Sequence, residues 1–257
     1  MSSNSSADAA TSVWPVDCFA GKSVFVCGGS SGIGAAIAEA FVRAGAVVTF
    51  TGATTREVDD AASNPLLASA TGRVLDVRDG DAVTELIAAL PQLHHAVNCA
   101  GIIRRGEELD PVVFAQVVDI NLTGMMRVCA AARTQLAAAG GGTITNTASM
   151  LSFCGGGLVP AYAASKGGVA QLTKSLAIAY AGDNIRVNAI APGWIATSLT
   201  TNLRDDPNRS ETIVARTPLK RWGEPADVVG GVLYLASPLA AFVTGAVLAI
   251  DGGYLIA

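Results

Sequence analysis

Short apolar runs alternate with longer stretches of helical periodicity along nearly the whole chain, and this alternation limits the fold more than any other feature. The apolar runs fall at 22–27, 47–51, 73–75, 95–98, 143–147 and 185–190. Helical patterns fill 32–44, 55–63, 81–90, 111–119, 122–138 and 162–180. Strands without a polar face must be covered on both sides, so the spacing predicts an α/β protein with a doubly wound parallel sheet of about seven strands. No linker, repeat or charge block divides 21–257, which is taken as one domain. Residues 1–20 are rich in Ser, Ala and Asp, without a basic or apolar leader pattern, and read as a flexible tail. The 23 uncharged residues of 228–250 match a membrane span in length. Gly230, Gly231, Ser237, Pro238, Thr244 and Gly245 interrupt them, so a helix, a turn and a buried strand are expected instead.

Composition removes several classes of function. With 51% hydrophobic and 15% charged residues the chain can fill a core, and disorder is excluded. Seventeen basic against 21 acidic side chains give a net charge of −4, which does not suit a protein that grips a nucleic-acid backbone. Cys18, Cys27, Cys99, Cys129 and Cys154 show no pairing pattern and predict reduced thiols in the cytoplasm. His94 and His95 are the two histidines; adjacent on a strand they face opposite ways, and no metal site is expected.

Between the first strand and first helix stands Gly28-Gly-Ser30-Ser31-Gly32-Ile33-Gly34. Glycines there allow a tight turn and let a pyrophosphate approach the helix N-terminus, whose free N–H groups and dipole favour anions. The spacing is G-x-x-x-G-x-G rather than the commoner G-x-G-x-x-G, and such a turn also occurs for structural reasons alone. After the second strand, a carboxylate would bind a ribose 2′-OH and an Arg would suit a 2′-phosphate. The sequence Thr51-Gly-Ala-Thr-Thr-Arg56 supplies neither at the expected place. Arg56 is a candidate phosphate ligand or a solvated helix residue. The reading favours NAD and leaves NADP open.

Tyr162 and Lys166, four residues apart, share one helix face. A free Tyr titrates near 10, too high for a base at neutral pH. An ammonium about 4 Å away contributes about 4 kcal/mol at an effective dielectric near 20, enough to bring the phenol into the neutral range. An exposed helix pair is the plainer alternative. Ser149, Asn121 and the segment Asn98-Cys-Ala100-Gly101 add polar groups at strand ends or in the helices that follow, where open α/β sheets bind ligands.

These residues together resemble the short-chain dehydrogenase/reductase family from Gly21 to the C-terminus. The family's glycine motif matches Gly28, Gly32 and Gly34, with Cys27 in place of its leading Thr. Its adenine-pocket pair matches Asp76-Val77, and its N-N-A-G segment matches Asn98-Cys99-Ala100-Gly101 with one change. The tetrad falls on Asn121, Ser149, Tyr162 and Lys166, and the later cofactor segment on Pro192, Gly193, Ile195 and Thr197. The resemblance implies an NAD(P)-dependent oxidoreductase interconverting a secondary alcohol and a ketone. Tyr162 would be its acid/base, Ser149 would orient substrate, Lys166 would also hold the nicotinamide ribose, and Asn121 would position a water. It also implies a homotetramer, and the apolar end 246–257 reads as a buried edge strand with an interface.

The segments 101–105, 148–153 and 221–223 are similar to the sugar-acid branch, with 2-dehydro-3-deoxy-D-gluconate 5-dehydrogenase and gluconate 5-dehydrogenase. Arg104 and Arg105 are then candidates for a substrate carboxylate, or a solvated pair. Met150, Leu158 and Trp194 are expected to wall the pocket under a lid at 197–208. Alternatives are an NADPH-dependent carbonyl or 3-oxoacyl thioester reductase and a non-catalytic dinucleotide sensor.

Overall fold

Residues 16–257 are described by a computed structural model of the protein. Seven parallel strands form in the expected places: β1 (Ser23–Cys27), β2 (Val47–Gly52), β3 (Thr71–Val74), β4 (His95–Asn98), β5 (Gly142–Thr147), β6 (Ile185–Pro192) and β7 (Val247–Ile250). Their order in the sheet is β3-β2-β1-β4-β5-β6-β7. The chain therefore winds outward from β1 in one direction and from β4 in the other. The carboxyl ends of β1 and β4 flank the switch point, where connections leave on opposite faces and a crevice opens.

Strand alternation assigns the two cores. Phe25 and Cys27 of β1 point into one, with Val128, Cys129 and Leu136 of α5 (Met125–Ala138) and Val169 and Leu176 of α6 (Pro160–Tyr180). Val24 and Val26 point into the other, with Ile37 and Phe41 of α1 (Gly32–Arg43) and Val228, Val232 and Leu235 of α9 (Pro225–Ala236). Both faces are covered, as wholly apolar central strands require.

Four differences from the sequence reading have physical causes. The ordered body begins before Gly21: residues 1–15 lie outside the described residues, but Val16–Phe19 form a 3₁₀ turn and Phe19 is core, 5.1 Å from the Phe41 ring. The two helices expected at 111–119 and 122–138 are one helical run. A π-helical stretch, Asp119–Gly124, joins α4 (Pro111–Val118) to α5. The outer strand β3 is largely exposed. Strand β7 is an edge strand, half-buried along most of its length rather than buried. The 228–250 segment does resolve into a helix, a turn and a strand. The run Pro111–Ala138 is long and apolar enough to cross a membrane, yet Val128, Ala132 and Leu136 of its second half are fully buried in the core. Both histidines have structural partners: His94 Nδ1 accepts from Ser23 N, and His95 packs on Phe19 and meets the Thr143 hydroxyl at 2.8 Å. Burial pushes the His95 imidazole down to about 3.

Candidate active site

A cavity of about 400 Å³ occupies the switch-point crevice. Its floor is the turn after β1. Gly28 adopts φ +73°, and its N–H donates to the Thr51 hydroxyl at 3.0 Å. A Cβ there would lie 2.5 Å from Ala100 N at the end of β4. Ser31 heads α1 in extended conformation without a side-chain cap, and the first turn holds no acid. Its first-turn N–H groups are thus left to an external acceptor, while Ser30, Ser31, Gly32 and Ile33 line the cavity. Together these features fit a dinucleotide pyrophosphate.

At the far end, just before α3 (Gly80–Ala88), Asp76 and Val77 line the cavity beside Arg78. The Arg78 guanidinium hydrogen-bonds the Asp76 carboxylate at 2.6 Å and holds it below the usual carboxylate range. The carboxylate that the sequence lacks directly after β2 arrives one turn later. Glu57 lines the cavity and accepts from Ala53 N at 2.8 Å, while Thr54 accepts from Glu57 N at 3.2 Å. The Thr54 cap opens α2 (Thr55–Ala62), and the bond to Ala53 N folds Glu57 back toward the end of β2. Arg56 points away, 91% exposed and paired with Asp60.

The chemical end gathers three of the tetrad on the cavity wall. Ser149 follows β5, and Tyr162 and Lys166 rise from α6. The Lys166 ammonium donates to Thr147 O at 2.6 Å and lies 5.5 Å from the Tyr162 ring centre. Ser152 bridges the Ser149 N–H and the Lys166 carbonyl, locking the two elements together. Asn121 sits in the π-helical stretch, behind the cavity wall. Its amide accepts from Ile102 N at 2.8 Å and donates to Ile102 O at 2.9 Å, clamping the segment after β4.

The electrostatics correct one expectation. Burial raises the Tyr162 phenol, the Ser149 hydroxyl pulls it partly back, and the Glu108 carboxylate raises it further. Burial also pushes the Lys166 ammonium down to about 8. Desolvation is the largest influence on both groups and disfavours the charged form of each. Without a ligand the phenol stays protonated, and Lys166 is the first of the pair to lose a proton.

This has a measurable consequence. Folded Lys166 titrates below the unfolded value of 10.5, so its stability penalty is complete below pH 8 and is relieved between about 8 and 10.5. Lys166→Met removes the titration. The stability of the wild type relative to this variant, read by denaturant unfolding, is expected to rise by roughly 3 kcal/mol across that window. A constant difference would refute a buried, charged Lys166.

Several other expected residues line the cavity: Gly34, Gly101, Pro192, Gly193, Ile195 and Thr197, with Met150 and Trp194. The Trp194 indole N–H is buried there without a partner. Three expectations are corrected. Asn98 does not line the cavity; its amide donates to Asn146 Oδ1 at 2.9 Å and to the Cys129 sulfur, inside the sheet layer. Arg104 is exposed and outside the cavity, while Arg105, also exposed, lines it. Leu158 lies outside the cavity, 48% exposed. The expected lid is a 3₁₀ turn (Ser198–Thr200), α7 (Thr201–Arg204) and the start of α8 (Pro207–Arg216). Sequence reasoning missed Glu57, although Thr54-x-x-Glu57 is a capping-box pattern, and it missed Glu108, which nothing local distinguishes from Glu107.

Comparison with known proteins gives a consistent result. A family model described as enoyl-(acyl carrier protein) reductase matches residues 28–255. Galactitol 2-dehydrogenase (L-tagatose-forming) of Cereibacter sphaeroides is 39% identical, with 92% of this chain and 96% of that protein covered. The 2-dehydro-3-deoxy-D-gluconate 5-dehydrogenase of Bacillus subtilis (strain 168) is 40% identical, covering 91% and 95%. A crystal structure from Beutenbergia cavernae, described as an NAD(P)-dependent gluconate 5-dehydrogenase with NADP bound at low occupancy, superposes with a TM-score of 0.86. It shares 40% identity and covers 94% and 99% of the two chains.

Proposed function

Because the chain belongs to the short-chain dehydrogenase/reductase family, we propose that its substrate is a polar hydroxy or keto acid of sugar-acid type and that it works with NAD. The reaction class is that of an NAD(P)-dependent oxidoreductase interconverting a secondary alcohol and a ketone. Bound nicotinamide supplies the acceptor or donor of the hydride. The protein's part is to bind, orient and handle one proton. Ser149 donates a hydrogen bond to the substrate oxygen. In oxidation the Tyr162 hydroxyl accepts the alcohol proton as it passes its own to the deprotonated Lys166 amine, and both transfers reverse in reduction. Lys166 holds the nicotinamide ribose, and its loss of a proton near pH 8 opens a vacancy in the Tyr–Lys pair for the proton leaving the alcohol.

The acid preference rests on Arg105. It lines the cavity with no ion pair among the described residues, and burial and the Arg209 charge on α8 both draw its guanidinium down. Arg209 is paired with Asp206, which leaves the Arg105 guanidinium as the unpaired cation on the cavity wall, and such a group favours an anionic guest. The unpartnered Trp194 N–H suits a hydroxyl-rich one. Glu57 supports NAD: a carboxylate accepts from a ribose 2′-OH and repels a 2′-phosphate. The fully exposed Phe242 and Ile256 near the C-terminus support self-association as a homotetramer. Five free cysteines fit a cytoplasmic setting.

A panel of hydroxy acids, neutral polyols and apolar ketones, read at the reduced nicotinamide absorbance with both cofactors, tests this reading. Arg105→Ala is expected to raise KM for hydroxy acids about 10- to 100-fold, the range of charge-assisted hydrogen bonds, and to leave neutral alcohols unchanged. Turnover of apolar ketones alone, with NADPH alone, would replace it with the carbonyl or thioester reductase reading.

A further inference from the structure

Glu108 is 1% exposed and lies in the turn between β4 and α4, outside the tetrad. Both carboxylate oxygens are occupied by backbone donors. Oε1 accepts from Arg104 N, and Oε2 accepts from Tyr162 N, each at 2.8 Å. No ion pair to Glu108 is present among the described residues. A charge buried without a counter-ion costs free energy unless strong hydrogen bonds compensate, so its retention calls for an explanation.

The local sequence of α6 supplies one. Val159, the residue that caps the helix, has no side-chain acceptor, and Pro160 at the first position has no N–H. The Ala163 N–H already reaches Val159 O. The first-turn N–H of Tyr162 would be orphaned inside the protein, and Glu108 satisfies it from another segment, its negative charge facing the positive helix end. A second link runs parallel: Gly106 N donates to Leu158 O at 2.8 Å. Arg105 lies inside this bracket and lines the cavity.

We propose that Glu108 is a positioning residue: one buried carboxylate sets Tyr162 and the Arg105 loop in register and holds a negative charge beside the phenol. The inference rests on the oxidoreductase reading given above. The charged or titratable groups facing Tyr162 are Lys166 on its own helix, Glu108 and Arg105 on the β4–α4 turn, and Cys99 at the end of β4; the Cys99 thiol, raised to about 11 by burial, stays neutral. Ser149 faces it from the β5 side without charge. Glu108 is the anion of this group, and it favours the protonated phenol.

Glu108→Gln keeps the shape, removes the charge and turns an N–H₂ toward one of the two backbone donors. Expected are a 10- to 100-fold fall in kcat, a cofactor Kd within about twofold of wild type by fluorescence titration with NADH, and a rising limb of the alcohol-oxidation pH profile displaced to lower pH. Glu108→Asp retains the charge at shorter reach and is expected to lose kcat while keeping the wild-type limb. An unchanged limb with kcat within twofold in Glu108→Gln would overturn the proposal. So would parallel loss of kcat, NADH affinity and thermal stability in both variants, which would mark a general folding role. A wild-type enzyme that turns over no alcohol or ketone with either nicotinamide would overturn the oxidoreductase reading itself, and this proposal with it.

Discussion

Tyr162→Phe is expected to lower kcat for alcohol oxidation by about 10³-fold or more while leaving the Kd for NADH within about twofold. The hydroxyl is the group assigned to exchange a proton with the substrate oxygen, and general acid–base catalysis is worth about 10² to 10⁴. The ring is held independently of the hydroxyl: Glu108 fixes the Tyr162 backbone, and the cation–π contact with Lys166 is to the ring face. Phe therefore occupies the same space, and the loss falls on chemistry rather than binding. The pH profile sharpens the result. The wild type should gain oxidation rate with rising pH and level off above about 8, where the Tyr–Lys pair has lost its first proton. In the reductive direction, which consumes that proton, the rate should fall over the same range. The variant should show neither limb. Equal loss of turnover and NADH affinity would assign Tyr162 to the framework instead.

The sequence carried the architecture because each central strand had to be apolar on both sides. Phe25 and Val26 serve opposite cores, and no other arrangement hides both. It carried Tyr162 and Lys166 because a four-residue spacing needs only a helix to become a shared face. What it could not carry were properties decided by distant segments. Whether Arg104 or Arg105 enters the cavity depends on how the β4–α4 turn is held, by Glu108 at Arg104 N and by Leu158 O at Gly106 N. Whether Glu107 or Glu108 is buried depends on a helix 54 residues further on that lacks its own cap. The direction in which the Tyr162 phenol shifts follows from burial, which spacing does not reveal. Asn98 was misplaced for the converse reason: the resemblance located its segment at the ligand, but strand alternation turns that one side chain inward, toward Asn146.

Gly34→Val is expected to abolish cofactor binding and to cost far more stability than a substitution at Gly32. Two of the motif glycines, Gly32 and Gly34, share a pattern, but their surroundings set them apart. A Cβ on Gly32 would touch only the Thr197 methyl at 3.3 Å, so its cost is mainly the +54° backbone. A Cβ on Gly34 would lie 2.0 Å from Gly28 O and 2.9 Å from Gly28 C. Those atoms are backbone at the end of β1, fixed by the bond from Gly28 N to Thr51 and by Ala100 behind it, and they cannot move aside. Helix α1 must therefore lift off the turn, carrying away the N–H groups that face the phosphates and opening the contacts of Ile37 and Phe41 with the core. Overpacking alone costs about 1–3 kcal/mol, and loss of those contacts adds to it. Gly182→Ala, with nothing within 4 Å of the new methyl, serves as the control and should be neutral or slightly stabilising. Thermal unfolding with and without NADH separates the outcomes. The control should be stabilised by NADH as the wild type is, and Gly34→Val should unfold earlier and gain nothing from the nucleotide. If Gly34→Val retained the wild-type shift with NADH, close approach of α1 to the β1 turn would not be what holds the pyrophosphate.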